Sequence, residues 1–258
     1  MPRFKLTIEY AGTRYSGWQI QTNARTVQGE IAQAVRVVTG RDPDEFYGSG
    51  RTDAGVHALA QVAHLGVATS LPPAAIRHRL NEELPSDIVI LDVETVDHRF
   101  HARKSALGRA YLYQVARRRT AFAKPYVWWV RDPLDLDRVR LAAAHVTGLH
   151  DFRSFTDDDP EEKSTRVHLE RVEVAEHGHL VLVRFIGSHF LWKMVRRLVG
   201  VFVEIGRGGL APEAVDDLLR ERSSLPARLT APSSGLFLER VFYPGDPRDH
   251  PLRPALGG

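Results

Sequence analysis

The 258-residue chain contains no cysteine, which excludes disulfides, thiolate metal sites, thiol nucleophiles and iron–sulfur clusters. Lysine is scarce: Lys5, Lys104, Lys124, Lys163 and Lys193 are the only five among 35 basic residues, and the rest are arginine. No apolar run approaches the ~20 residues of a membrane-spanning helix. The opening Met1-Pro2-Arg3-Phe4-Lys5 leads straight into a strand pattern, so a soluble cytoplasmic protein with no membrane partner is expected. Low-complexity stretches are also missing, apart from a Pro-, Arg- and Gly-rich tail after Pro244 that reads as loose.

What is present is an ordinary globular composition, 43% apolar and 26% charged, with a net charge of +3. The arginines are clustered: Arg103 and Arg109 flank Lys104, Arg117-Arg118-Arg119 are contiguous, and Lys193, Arg196 and Arg197 sit together, often beside aromatics. Guanidinium groups suit phosphates and stack on bases, so a basic surface with interleaved rings is the footprint expected for RNA.

Along the chain, Phe4 to Tyr10 alternates as a half-buried strand. A helix capped by Thr26 and ended by Gly40 follows, with Val27, Ile31, Ala34, Val35 and Val38 on one face. The Phe46-Tyr47 strand, a strand through residues 61–65, a Pro-started helix over 72–84 and a strand over 87–93 complete the first half. The second half repeats the opening with a strand over 111–116, a helix over 135–146 and the aromatic pair Phe152 and Phe155. Val38-Thr39-Gly40 recurs as Val146-Thr147-Gly148. Strands over 169–175 and 180–185 and a helix over 190–205 follow. The expected fold is α+β: two similar halves, residues 1–104 and 105–244, with antiparallel sheets flanked by helices, joined into a central sheet with a cleft between them, and a tail over 245–258.

Chemistry concentrates in Gly50-Arg51-Thr52-Asp53-Ala54-Gly55-Val56-His57-Ala58, where a glycine-bracketed turn at a strand end presents one carboxylate with a guanidinium two residues before it. A nearby cation favours ionised Asp53, available as nucleophile or base. A second segment, Phe100 to Tyr113, feeds a basic stretch into a strand with Tyr111 and Tyr113 on one face. The third is Phe190-Leu191-Trp192-Lys193-Met194-Val195-Arg196-Arg197-Leu198-Val199-Gly200, and the fourth runs from Ala231-Pro232-Ser233-Ser234-Gly235-Leu236 into a closing strand. The pairs His98 with His101 and His177 with His179 match no metal-ligand signature, so no metal site is expected.

Together these stretches resemble the TruA family of tRNA pseudouridine synthases, in order and over nearly the whole chain. GRTDAGVHA carries most of the specificity; FLWKMVRRLVG and APSSGLFLERVFY support it, with lesser echoes in Tyr15-Ser16-Gly17-Trp18-Gln19 and Asn81 to Ile88. The resemblance implies the pseudouridine synthase fold and isomerisation of uridine at positions 38, 39 and 40 of the tRNA anticodon stem-loop, by a homodimer without a cofactor. It makes Asp53 the catalytic aspartate, Tyr111 the tyrosine at the target base and Arg196 the basic partner of the aspartate. Arg51 is a second candidate for holding Asp53 ionised, Leu236 a candidate pocket wall, and His57, Arg103, Arg109 and Arg197 candidate RNA contacts. A non-catalytic RNA-binding module would keep the basic clusters without needing Asp53. A metal-dependent hydrolase would instead use Asp and His pairs.

Overall fold

The computed structural model describes residues 2–256, and its contacts divide the chain into two compact units. One comprises Met1–Leu107 with Phe237–Pro247, the other Gly108–Leu236 with Arg248–Gly258.

In the first unit, β1 (Arg3–Tyr10) alternates as its sequence predicts and buries Phe4, Leu6, Ile8 and Tyr10. α1 (Val27–Thr39) starts where the Thr26 hydroxyl accepts from the Gly29 N–H, and it stops at Gly40, whose φ of 72° suits glycine. It buries Val27, Ile31, Ala34 and Val35. β2 (Glu45–Gly48), β3 (His57–Gly66), α2 (Pro73–Glu83) and β4 (Ile88–Val96) follow. β3 pairs antiparallel with β1, which pairs antiparallel with β4. The other edge of β3 is shared. β2 pairs with residues 63–66, and the closing strand of the chain aligns Phe237 and Leu238 in parallel with His57 and Ala58. The Asp53 loop connects β2 to β3.

In the second unit, β5 (Gly108–Ala116) carries the two-residue β6 (Trp128–Trp129) in parallel. After α3 (Leu136–Val146) come β7 (Gly148–Asp151), β8 (Arg166–His177), β9 (Leu180–Gly187), α4 (Met194–Gly206), α5 (Ala214–Arg220) and α6 (Leu225–Arg228). Here β5 pairs with β9, β9 with β8 and β8 with β7, all antiparallel. The chain closes with β10 (Leu236–Phe242), the strand already placed on β3.

The internal repeat is visible in this order. β1-α1-β2-β3-α2 builds a sheet ordered β1-β3-β2, and β5-α3-β8-β9-α4 builds one ordered β5-β9-β8, with β7 added at the edge. The duplicated Val-Thr-Gly marks the same device at both helix ends. Thr39 Oγ1 donates to the Val35 carbonyl at 2.7 Å and Thr147 Oγ1 to the Ala143 carbonyl at 2.9 Å, while Gly40 and Gly148 take positive φ. The aromatic pair departs from the repeat: Phe152 and Phe155 are buried around a 3-10 turn at Arg153–Phe155, not placed on a strand.

Two boundaries differ from the sequence reading. Residues 237–247 return to the first unit because Tyr243 donates to the Ala102 carbonyl at 2.6 Å, Leu107 N donates to the Phe242 carbonyl at 2.8 Å, and the Tyr243 ring lies 5.2 Å from Phe100. The tail, expected to be loose, is held to the second unit from Arg248 to Ala255. Arg184 on β9 is fully buried, and its guanidinium reaches Glu173 at 3.1 Å, the His250 carbonyl at 3.0 Å and the Pro251 carbonyl at 2.8 Å. A buried guanidinium needs such acceptors, and the tail supplies two of them. Ala255 N adds a bond to Gln114 Oε1 at 2.8 Å. Gly257 and Gly258 of that tail, and Met1, lie outside the described residues.

Candidate active site

The Asp53 loop is fixed from below by the segment that follows β1. Tyr10, buried at the end of β1, shares a 2.8 Å hydrogen bond with Thr52 Oγ1. Trp18 N donates to the Thr52 carbonyl at 3.1 Å, and Gly55 N to the Tyr15 carbonyl at 3.3 Å. The turn closes on itself where Val56 N donates to the Asp53 carbonyl at 3.1 Å, with Gly55 at φ 77°. Thr52 and Val56 are therefore buried on either side of a half-exposed Asp53. The backbone is locked while the carboxylate stays within reach of a ligand.

Two glycines permit this approach. A Cβ on Gly12 would stand 1.9 Å from the Val56 carbonyl oxygen, and one on Gly17, at φ 94°, would stand 2.5 Å from that of Thr52. Neither glycine was singled out from the sequence; the signal for Gly17 was the Tyr-Ser-Gly-Trp-Gln echo, whose role is now structural. Gly17→Ala combines left-handed strain with a backbone clash, and is expected to destabilise the protein by about 2–3 kcal/mol and to lower turnover. Urea denaturation with a paired rate measurement checks this; wild-type stability and rate would contradict it.

The sequence-derived residues of this unit separate into two groups. His57 does not face solvent. It is 1% exposed, accepts from Gly12 N through Nδ1 at 3.0 Å and stacks on Phe237 with centroids 4.7 Å apart, so it supports the loop backbone from beneath. Arg51 and Arg103 are exposed and line a cleft of about 620 Å³ with Lys104, Trp18, Tyr47 and His101. Arg51 has no ion pair with Asp53 among the described residues; it turns into this cleft instead.

Beneath Tyr47 lies His64, 1% exposed, its Nδ1 accepting from Ala102 N at 3.1 Å. Burial, then the neighbouring His101 and Arg3, push His64 down to about 4. Because the folded value lies below the unfolded one near 6.5, this neutral histidine contributes stability above pH 6.5 that is lost as pH falls from there toward 4. Urea titrations at pH 7.5 and 5 are expected to differ by on the order of 2 kcal/mol from this group, and His64→Gln should shrink that difference.

In the second unit, Tyr111 on β5 is half-buried, and its ring meets Phe190 edge-on at 4.9 Å. This contact exists because α4 begins later than the expected residue 190. Lys193 takes φ 61°, and residues 190–193 remain outside the helix. Tyr113, two residues on, is buried, donates to the Pro232 carbonyl at 2.7 Å and has its phenol pushed up by burial. On α4, Arg196 Nε donates to the Ala231 carbonyl at 2.8 Å while Ala231 N returns a bond to the Arg196 carbonyl at 3.0 Å. The helix approaches this segment closely at Gly200, where a Cβ would stand 1.8 Å from the Leu229 carbonyl oxygen. The third and fourth motifs are thus one packed structure that fixes Arg196, with Leu236 buried at the start of β10. Arg109 is tied to the Ser188 carbonyl at 3.2 Å. Arg197, expected on the RNA side, is 4% exposed and ion-paired with Asp157, which makes it an internal brace of α4.

Known proteins are similar to this chain in sequence. A family model described as tRNA pseudouridine synthase matches residues 6–103 and 142–244. The chain belongs to that family. Among its tRNA pseudouridine synthase relatives, the tRNA pseudouridine synthase A of Nitrobacter hamburgensis is 42% identical over 246 residues, covering 94% of this chain and 100% of that one. The proteins of the same name from Exiguobacterium sibiricum and Moorella thermoacetica are 39% and 40% identical, covering 95% and 94% of this chain and 98% and 100% of theirs. For a tRNA pseudouridine synthase the chemistry is isomerisation: the C1′–N1 bond of a uridine is exchanged for C1′–C5.

Proposed function

We propose that this tRNA pseudouridine synthase converts uridines at positions 38, 39 and 40 of the anticodon stem-loop, using the Asp53 carboxylate as nucleophile and no cofactor. The observation that carries this reading is the Asp53 loop, with its backbone held by Tyr10, Tyr15 and Trp18 and its single carboxylate left half-exposed. One oxygen of Asp53 adds either to C1′, expelling the uracil anion, or to uracil C6, and the two routes share the same balance. The base turns and C5 bonds to C1′, on the first route displacing the Asp53 oxygen from C1′. On the second, the C1′–N1 bond breaks before C5 bonds to C1′, and the C6–O bond is then eliminated. Either way the carboxylate is regenerated, the C5 hydrogen leaves as a proton and N1 gains one. No redox step or external group enters. Tyr111 takes the role at the target base, its ring for stacking and its hydroxyl for proton transfer, and Arg196 the role of cationic partner that keeps the carboxylate ionised. Arg51 and Arg103, exposed in the cleft that Gly50 also lines, suit phosphate contacts. A homodimer in the cytoplasm is part of the same reading.

The test is site mapping. EDTA-treated protein incubated with an unmodified tRNA transcript should place pseudouridine at positions 38, 39 and 40. Conversion elsewhere in the tRNA, or a requirement for an added divalent ion with correctly folded substrate, would contradict the proposal.

A further inference from the structure

Between β5 and β6 the second unit carries a surface that no step of the reaction uses. Residues 117–131 contain five cations, Arg117, Arg118, Arg119, Lys124 and Arg131, and no acidic residue. The base of this connection is firmly held. Val115 and Ala116 pair with Trp128 and Trp129, Val130 N donates to the Ala116 carbonyl at 3.0 Å, and Arg117 is ion-paired with Glu176 at 2.7 Å. Its tip is presented to solvent. Phe122 is 96% exposed, and Trp129 is 41% exposed with the Arg119 guanidinium 5.7 Å from its ring centroid. A phenylalanine fully in water on an anchored loop contributes nothing to the core, and Arg118 and Lys124 are exposed cations without an acidic partner among the described residues.

We infer that this loop is a second RNA-binding surface, in which Arg118, Arg119 and Lys124 take backbone phosphates and Phe122 and Trp129 stack on unpaired bases of the tRNA. The chemistry selects a polyanion with exposed π-faces: cations and rings alternate, and no hydrogen-bonding pattern specific to one base is built in. A second copy of the chain fits less well, because two such patches facing each other across a two-fold axis would repel. The inference rests on tRNA being the substrate but not on which uridine is converted. Site mapping on the variants below therefore separates its failure from failure of the proposed specificity.

The experiment compares Phe122→Ala and the triple variant Arg118→Ala/Arg119→Ala/Lys124→Ala with wild type, in the full chain, by tRNA affinity over a salt series and by steady-state kinetics. Both variants should keep wild-type melting temperatures, since the positions are exposed. Phe122→Ala is expected to weaken tRNA binding and raise KM by about tenfold with kcat within twofold. The triple variant should lower the slope of log K against log salt by about 2. Arg118→Lys/Arg119→Lys should restore the slope. Wild-type affinity and slope in both variants would overturn the inference. So would loss of the dimer in sedimentation at unchanged monomer affinity for tRNA, which would assign the surface to a second copy.

Discussion

Replacing Asp53 with Asn is expected to reduce pseudouridine formation by about 10⁴-fold or more while leaving tRNA affinity within about tenfold, or ~1.4 kcal/mol. The amide keeps the size of the side chain and much of its hydrogen bonding. The loop is held through backbone atoms and through Thr52, and the substitution leaves those contacts in place. What is lost is the anionic oxygen that attacks. Single-turnover conversion measured by nucleoside analysis, with binding measured separately, distinguishes this from misfolding. A rate near wild type would remove Asp53 from the chemistry.

Tyr111 gives the second large effect, because two substitutions separate its two roles. Tyr111→Phe keeps the ring and its edge contact with Phe190 and deletes only the hydroxyl. If the hydroxyl moves a proton, turnover should fall by about 10²–10⁴-fold with binding intact. Tyr111→Ala removes the stacking surface as well, so its binding should weaken by a further ~1–3 kcal/mol. Equal wild-type rates in the Phe variant would leave stacking as the only role of this side chain.

Much of the fold was legible because its local signals agree. The alternation of Phe4, Leu6, Ile8 and Tyr10 is a true half-buried strand, and Thr26 and Gly40 bound α1 as capping chemistry requires. The repeated Val-Thr-Gly places the same threonine-to-carbonyl bond at both helix ends, with Gly40 capping α1 and Thr147 capping α3. What was not legible depends on contacts distant in sequence. Arg197 looks like a surface cation one residue from Arg196, but a helix advances 100° per residue, which turns one side chain toward Ala231 and the other into the interior against Asp157. His57 sits in the most diagnostic motif, yet it serves that motif from beneath through Gly12 and Phe237. The tail reads as loose because its own residues have little reason to fold. It is ordered by a buried arginine some 66 positions earlier that needs its carbonyls. The start of α4 was misplaced because Phe190 to Lys193 continue the apolar period of the helix, and only the left-handed Lys193 ends it.

The central claim is that this chain breaks and remakes the glycosidic bond of a tRNA uridine, and the fate of the C5 hydrogen tests it most directly. Whole tRNA carrying tritium at uridine C5 is incubated with the purified, EDTA-treated protein, and tritium released to water is compared with pseudouridine formed. One tritium should be released for each pseudouridine made, since the new C1′–C5 bond must displace that hydrogen. Tight tRNA binding with no release would contradict it and leave a non-catalytic RNA-binding module in its place.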